Sequence, residues 1–361
     1  MAMAALNILF AVHDWGLGHA TRDLTLIRGL LDAGHSVTLL SNGRALRLLQ
    51  DELGDACETI ALRDIPKPLS RHSPVFYVKM SLSLPMVFRT FHHEHRITER
   101  LCRERCFDRV ISDSRYGVWS GEVPSFYLVH SLRQIIPGRP RALEKLVEAS
   151  QRSLLSHARR LLIPDQAENG LAGDLCHDLA CDWGDRIEYI GVLASMRQCA
   201  VDEDVDVFVS ISGAEPQRSI FEEMVLSQVR DVPGRIVVAL GRPEAETTLR
   251  EDGRISIYPY LNRRQAEEMM NRARLVVTRS GYTTLMELAE LGKHALLVPT
   301  VGQSEQEYLG DRLERRGEMH TVRQRDLSLK RDVEAARGYR GLPRMHPTEE
   351  SVRRFLAAVY A

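Results

Sequence analysis

Short apolar runs alternate with stretches of helical periodicity along nearly the whole chain, and the alternation stops once and starts again. No other feature constrains the fold as much. A strand, a helix and a further strand in succession close readily only as a crossover unit of a parallel sheet. Residues 6–12 read as a short buried strand, and 20–33 as a helix with Leu24, Ile27, Leu30 and Leu31 on one face, stopped by Gly34. Residues 36–41 return to the sheet. A helix over 43–53, strands over 56–61, 108–112 and 123–129, a helix over 142–157, and strands over 159–163 and 186–190 continue the pattern. The polar, acidic segment 195–206 interrupts it and reads as a linker. Beyond it come strands over 207–212, 236–240 and 255–258, a helix over 264–272, and strands near 275–278 and 294–299, then a helix over 305–316. The expected fold class is α/β, with two tandem Rossmann-like domains (1–194 and 207–340) and a cleft between their carboxyl edges. A last helix over 347–361 follows a Gly/Pro-rich connector and is expected to pack back on the N-terminal domain.

Composition narrows the function classes. The chain has 361 residues, 44% of them hydrophobic and 27% charged, with a net charge of −1. A near-neutral balance argues against a partner held by bulk charge, so no nucleic acid is expected. The six cysteines are scattered, and neither Cys102/Cys106 nor Cys176-His177/Cys181 matches a zinc spacing, so no metal and no bound cofactor is expected. No apolar run approaches the ~20 residues that span a bilayer, and residues 6–12 lack the basic lead of a signal peptide. A cytoplasmic protein is expected. Residues 75–91 are apolar with Lys79 and Arg89 among them. They fit either an ordinary packed helix kinked at Pro85, the preferred reading, or a patch in peripheral contact with the inner face of a membrane. His92, His93 and His95 do not form the spacing of a zinc protease.

The loop after the first strand is His13-Asp-Trp-Gly-Leu-Gly-His-Ala-Thr-Arg22. Gly16-x-Gly18 invites a dinucleotide reading. However, the third glycine of that fingerprint falls on Thr21, and the second strand ends in Ser41-Asn42 with no acidic residue for a ribose. What remains is a tight turn that presents His19 at a helix N-terminus, where imidazolium is disfavoured and the ring is expected to be neutral. Such a histidine suits a general base, and equally a helix-entry residue with a local bond. Asp113 ends the strand over 108–112 on the same edge of the sheet, where it can orient His19 and stabilise its protonated form. His130 follows the next strand on that edge.

In the second domain, Arg279-Ser-Gly-Tyr-Thr-Thr-Leu-Met-Glu287 makes a strand–turn–helix corner. Free backbone N–H groups and the positive end of a helix dipole meet there, which suits a phosphate. Thr284-x-x-Glu287 equally fits a capping box. A second strand–glycine corner stands at Gly213, with Arg218 one turn into its helix as a charge-assisted contact. Gln303 and Gln306 follow the next strand, where amides meet sugar hydroxyls.

Taken together, these signals resemble GT-B glycosyltransferases, above all the family-28 branch. Its MurG-type members transfer N-acetylglucosamine from UDP onto a lipid-linked acceptor. The resemblance is carried by residues 274–317, with the corner, a Leu-Val-Pro strand and Gln303-Ser-Glu-Gln-Glu-Tyr308, and by Gly-Leu-Gly-His-Ala-Thr-Arg in the first half. It implies that Glu287 meets the donor ribose and that Ser280, Gly281, Tyr282, Thr283 and Thr284 face the diphosphate. It further implies that Gln303 and Gln306 approach the sugar and that the loop at Tyr260-Leu261 holds the base. His19 falls on the position of the catalytic base, Asp113 on that of its assistant, and Gly18, Tyr116 and His130 lie on the acceptor side. The chain departs from the family pattern at Glu215 beside Gly213, at Glu307 in place of a second glutamine, and at His13-Asp14-Trp15 in place of a glycine run.

The leading expectation is an inverting glycosyltransferase. It would move a sugar from a nucleotide-sugar donor, most simply UDP-linked, to a hydroxyl of a glycan, lipid-linked or small-molecule acceptor. The alternatives are a nonhydrolysing UDP-sugar 2-epimerase, which needs no acceptor, and a non-catalytic nucleotide-sugar-binding subunit. The oligomeric state is not legible.

Overall fold

The computed structural model describes residues 4–65, 73–242 and 250–361, with the side chains of 73–82 and 250 outside the description. The described chain forms two compact units. One runs to Ser195 and takes back His346–Ala361, and the other is Met196–Met345.

The first unit is built on a seven-stranded, all-parallel sheet in the order β3-β2-β1-β4-β5-β6-β7. Its strands are β1 (Asn7–Val12), β2 (Ser36–Ser41), β3 (Glu58–Ala61), β4 (Arg109–Asp113), β5 (Ser125–Leu128), β6 (Arg160–Ile163) and β7 (Ile187–Tyr189). Ile8, Leu9, Phe10, Ala11 and Val12 are all fully buried, because helices cover both faces of a parallel sheet and leave no solvent side to alternate with. Helices α1 (Leu17–Asp32), α2 (Gly43–Leu53), α3 (Ser73–Arg105) and α4 (Arg141–Leu154) supply the layers. On one face Leu9, Leu40, Leu101, Phe107, Val110 and Val118 form a single apolar cluster.

Within α3 the packed and exposed readings divide. Val87, Glu94, Thr98, Leu101 and Cys102 are buried, whereas Leu84, Met86 and Phe88 are about half exposed. The segment 75–82 of that expectation lies outside the described side chains. No described helix is long and apolar enough to cross a membrane.

The second unit has a sheet in the order β10-β11-β9-β8-β12-β13-β14, parallel except for the β10–β11 pair. Its strands are β8 (Val205–Ser210), β9 (Ile236–Ala239), β10 (Arg250–Asp252), β11 (Ile255–Tyr258), β12 (Ala273–Thr278), β13 (Ala295–Leu297) and β14 (His320–Thr321). Helices α5 (Gln217–Gln228), α6 (Arg263–Arg272), α7 (Tyr282–Leu291), α8 (Ser304–Arg315) and α9 (Leu329–Ala336) surround it. Val207, Val209, Phe221, Val238, Val277 and Leu296 anchor its core.

The last helix, α10 (Thr348–Tyr360), packs on the first unit. Gly29 of α1 permits the approach, since a Cβ there would stand 2.5 Å from Val352 Cγ1. Thr348 Oγ1 accepts from Ala194 N at 3.0 Å, and Arg109 Nε donates to Val359 O at 2.8 Å.

Candidate functional site

Each sheet reverses its winding once, and the candidate residues gather at those two points. In the first unit the order runs outward from β1 in one direction and from β4 in the other. Loops leaving the carboxyl ends of these two strands therefore part to opposite faces and leave a crevice. Val12, the last residue of β1, pairs in register with Asp113, the last of β4. His19 and Asp113 thus meet because of sheet order.

His19 is the third residue of α1, whose N-cap is Gly16. Its Nδ1 lies 2.7 Å from Asp113 Oδ2. The other Asp113 oxygen accepts from Arg22 Nη2 at 2.5 Å and from Ser114 Oγ at 3.0 Å. Burial opposes ionisation of Asp113, but Arg22 and His19 outweigh it and hold the carboxyl well below its ordinary range. His19 is driven down to about 4, first by burial and further by Arg22, against the raising pull of Asp113. The ring is therefore neutral near neutral pH. Arg22 Nη2 also lies 3.0 Å from His19 Nδ1, but its shorter bond is to Asp113. The network accordingly assigns Nδ1–H to Asp113 and leaves the lone pair on Nε2, as a base requires.

Arg22 Nη1 lies 3.1 Å from His130 Nδ1, and since a guanidinium only donates, His130 accepts there. Asp23 is fully buried beside this pair. Burial and then the charge of Asp113 push its carboxyl well upward, toward the neutral acid. Neither Arg22 nor Asp23 belongs to a motif that gives it a role. The available signal was that both fall on the face of α1 carrying Leu26, Ile27 and Leu30, where a charged pair is costly unless it is bonded.

The residues standing where a glycine run was expected brace this loop. His13 Nδ1 lies 2.7 Å from Asp64 Oδ2, Asp14 N donates to the same oxygen at 2.9 Å, and Trp15 Nε1 donates to Ile65 O at 3.0 Å. Asp14 Oδ1 accepts from Ala45 N at 3.1 Å and so caps α2, whose own N-cap residue Asn42 makes no such bond. Burial would raise the Asp64 carboxyl, but His13, Arg115 and the Asp14 N–H hold it at about 2. Gly18 O accepts from Thr21 Oγ1 within the same turn. Tyr116, expected on the acceptor side, packs between Phe91 and Tyr127, and its hydroxyl accepts from Gln151 Nε2 at 2.9 Å.

Asp165, Cys176 and His177 place possible metal-ligand atoms close together. The Asp165 carboxylate, however, accepts from the backbone N–H groups of Gln166, Leu171 and Ala172 and bonds His177 Nε2 at 3.0 Å. It acts as the hub of the 166–177 loop.

In the second unit the winding reverses between β8 and β12, and the corners at Gly213 and Gly281 follow those two strands. Helix α7 begins at Tyr282 with Gly281 as N-cap and no side-chain cap. The capping-box reading of Thr284 and Glu287 therefore fails: both lie inside the helix, too far along to satisfy its first N–H groups. A Cβ placed on Gly281 would meet nothing nearer than Gln306 Nε2 at 3.8 Å and Thr284 Oγ1 at 3.9 Å, so the corner is open to a ligand. Ser280 Oγ is turned inward and donates to Gln306 O at 2.8 Å. Gln306 Oε1 accepts from Thr300 N at 2.9 Å, and its Nε2 donates to Gln303 Oε1 at 2.7 Å, so the two glutamines hold one another.

Two expected donor residues are committed elsewhere within their unit. Glu287 is 5% exposed, and its Oε2 accepts from Met196 N at 2.9 Å. Arg218 donates to Glu215 and Glu222, both at 2.6 Å, and to Leu240 O at 3.0 Å, so two carboxylates balance its charge. Glu215 faces Arg218 and Ser219 N, which turns its charge toward them. Tyr260 and Leu261 follow β11 on the carboxyl edge, the first partly exposed and the second buried.

Arg279 is 2% exposed. It donates to Val298 O, Pro299 O, Gln324 Oε1 and Gln217 O, and stands 4.1 Å over the Phe221 ring. In the sequence Arg279 stands in the corner motif with no role assigned to it, and no local pattern marks Thr300.

Residues 217–337 match the glycosyltransferase family 28 C-terminal domain. The chain is 27% identical over 134 residues to the UDP-N-acetylglucosamine–N-acetylmuramyl-(pentapeptide) pyrophosphoryl-undecaprenol N-acetylglucosamine transferase of Caldanaerobacter subterraneus subsp. tengcongensis, a match covering 34% of this chain and 36% of that protein. It is 26% identical over 145 residues to the Finegoldia magna enzyme of the same name, covering 37% and 38%. The chain thus spans under two fifths of the length of these curated relatives. Among solved structures it resembles the calicheamicin glycosyltransferase CalG4 (TM-score 0.62, 16% identity, 99% of this chain and 95% of that one). It also resembles Acinetobacter baumannii MurG (TM-score 0.56, 14% identity, 97% and 94%). The structural likenesses establish the GT-B fold, and its second half is where the family-28 C-terminal domain matches.

Proposed function

We propose that this protein is a metal-independent, inverting glycosyltransferase that takes a sugar from a UDP-linked donor and delivers it to an acceptor hydroxyl. The observation that carries the reading is His19, neutral at the winding reversal of the first sheet, its Nδ1 fixed on buried Asp113. The open glycine corner at the corresponding point of the second sheet and the family-28 match over 217–337 support it.

In this mechanism the Nε2 lone pair of His19 takes the acceptor's hydroxyl proton as that oxygen bonds to the anomeric carbon. The bond from the anomeric carbon to the diphosphate breaks, and its electron pair leaves on the phosphate oxygen. Asp113 stabilises the imidazolium, and the N-terminus of α7 stabilises the departing anion. The relatives' names describe a lipid-linked acceptor, and a lipid-linked acceptor reached from the cytoplasmic face fits the half-exposed Leu84, Met86 and Phe88 of α3.

The test is nucleotide release from a panel of UDP-sugars with candidate acceptors, run with and without a chelator. Chelation is expected to leave the rate unchanged. His19→Ala should lower transfer by about 10²-fold or more while keeping wild-type UDP affinity. Transfer at the wild-type rate in that variant would remove His19 as the base.

A further inference from the structure

The two glycine corners of the second unit are joined by a short chain of contacts that ends on an orphaned hydroxyl. At the Gly281 corner it passes from Ser280 Oγ to Gln306 O, and then from the backbone N–H of Thr300 to Gln306 Oε1. Thr300 is 3% exposed, yet its Oγ1 has no hydrogen-bond partner among the described residues. A buried hydroxyl without a partner is destabilising, by an amount comparable with a lost hydrogen bond, so such a group points to an absent ligand. This oxygen lies 3.9 Å from where a Cβ on Gly213 would stand, and among the described residues no other atom beyond the chain neighbours of Gly213 comes within 4 Å of that point. Gly213 has φ +117, a conformation that side chains other than glycine rarely adopt, so the space over it is kept vacant.

Beneath this floor lies Arg279, which donates to the carbonyls of Val298 and Pro299 and so fixes the backbone leading into Thr300. Its other partners are an amide, a carbonyl and an aromatic face, and no carboxylate lies within ion-pair distance among the described residues. The corner therefore holds a buried positive charge with no counter-ion, whereas the charge of Arg218 is balanced by Glu215 and Glu222. A fixed cation behind a vacant, hydroxyl-lined recess selects an anion.

We propose that Thr300 is a diphosphate-binding residue: its hydroxyl donates to a phosphate oxygen seated over Gly213, with Arg279 supplying the charge behind it. This rests on the reading of the second unit as a nucleotide-sugar site but assigns the anion contact to Thr300 and Arg279 in place of Arg218.

Thr300→Val keeps the shape and removes the hydroxyl, and Thr300→Ser restores a hydroxyl. Titration calorimetry on the full chain with UDP, uridine and inorganic pyrophosphate, with thermal melting as the folding control, separates the outcomes. Thr300→Val is expected to bind UDP and pyrophosphate about 10-fold more weakly or worse, to bind uridine as wild type does, and to be rescued by Thr300→Ser. Wild-type UDP and pyrophosphate affinity in Thr300→Val would overturn the assignment. So would a loss confined to UDP-sugar, which would place the hydroxyl on the hexose. A wild-type chain that binds pyrophosphate through Thr300 but not UDP would refute the uridine-donor reading alone, leaving the anion seat in place.

Discussion

At the scale of single residues, two aspartates beside the same arginine are shifted in opposite directions. Arg22 and His19 hold the Asp113 carboxyl well below its ordinary range, whereas burial and that neighbouring carboxylate push Asp23 well upward, toward the neutral acid. Asp23→Asn, which mimics the neutral acid, should therefore leave stability at pH 7 within about 1 kcal/mol of wild type. Asp113→Asn should cost about 3 kcal/mol or more, because it leaves the Arg22 guanidinium buried without its partner. Chemical denaturation of the two variants checks this, and equal losses would refute the assignment.

His19 gives a pH prediction of definite sign. The unfolded ring titrates near 6.5 and the folded one near 4. Between those values the unfolded chain binds more protons, so this residue's contribution to stability falls as pH drops from 6.5 toward 4. The acid limb of kcat/KM for transfer should lie near pH 4 to 5. A limb at 6.5 would mean that the ring is not desolvated in the free enzyme.

At the scale of elements, the corner 279–287 changed most between sequence and structure. Its strand, glycine and helix were legible, because a β-branched run, a turn residue and a helical stripe are all local signals. The capping role was not, since Thr284-x-x-Glu287 has the right spacing but the helix starts two residues before Thr284. Glu287 bonds the N–H of Met196, so a ribose would have to share or replace that bond. Glu287→Ala should weaken UDP binding about 10-fold or more and loosen the 196–204 segment. Unchanged affinity in the calorimeter would confine Glu287 to a structural role. Elements with a weak local signal went unread: β14 is two residues long, and β10 three. Helix α9 presents only Leu329, Val333 and Ala336 to the core. The α1–α10 contact also belongs to this scale. Gly29→Leu should destabilise by about 1–3 kcal/mol through overpacking against Val352, and Val352→Ala should recover part of the loss.

At the scale of the molecule, the chain crosses into its second unit and returns, so the first unit is completed only by its last residues. Helix α10 buries Phe355, Ala358 and Val359. Losing Phe355 and Val359 forfeits about 1.5–3 kcal/mol each. A chain ending at Met345 should melt several degrees lower, and an unchanged melting temperature would make α10 an accessory. The sequence by itself determined the alternation of strands and helices, the restart near 207, and the glycine turns that end β8 and β12, because these follow from side-chain period and backbone freedom over a few residues. Only the tertiary structure decided which groups meet. The Arg22–Asp113 pair spans 91 residues and exists because β1 lies beside β4. Arg218 is balanced by its own helix and turn, while Thr300 beyond β13 stands beside Gly213 with its hydroxyl unmatched among the described residues. Sheet order sets those distances, and no local pattern encodes them.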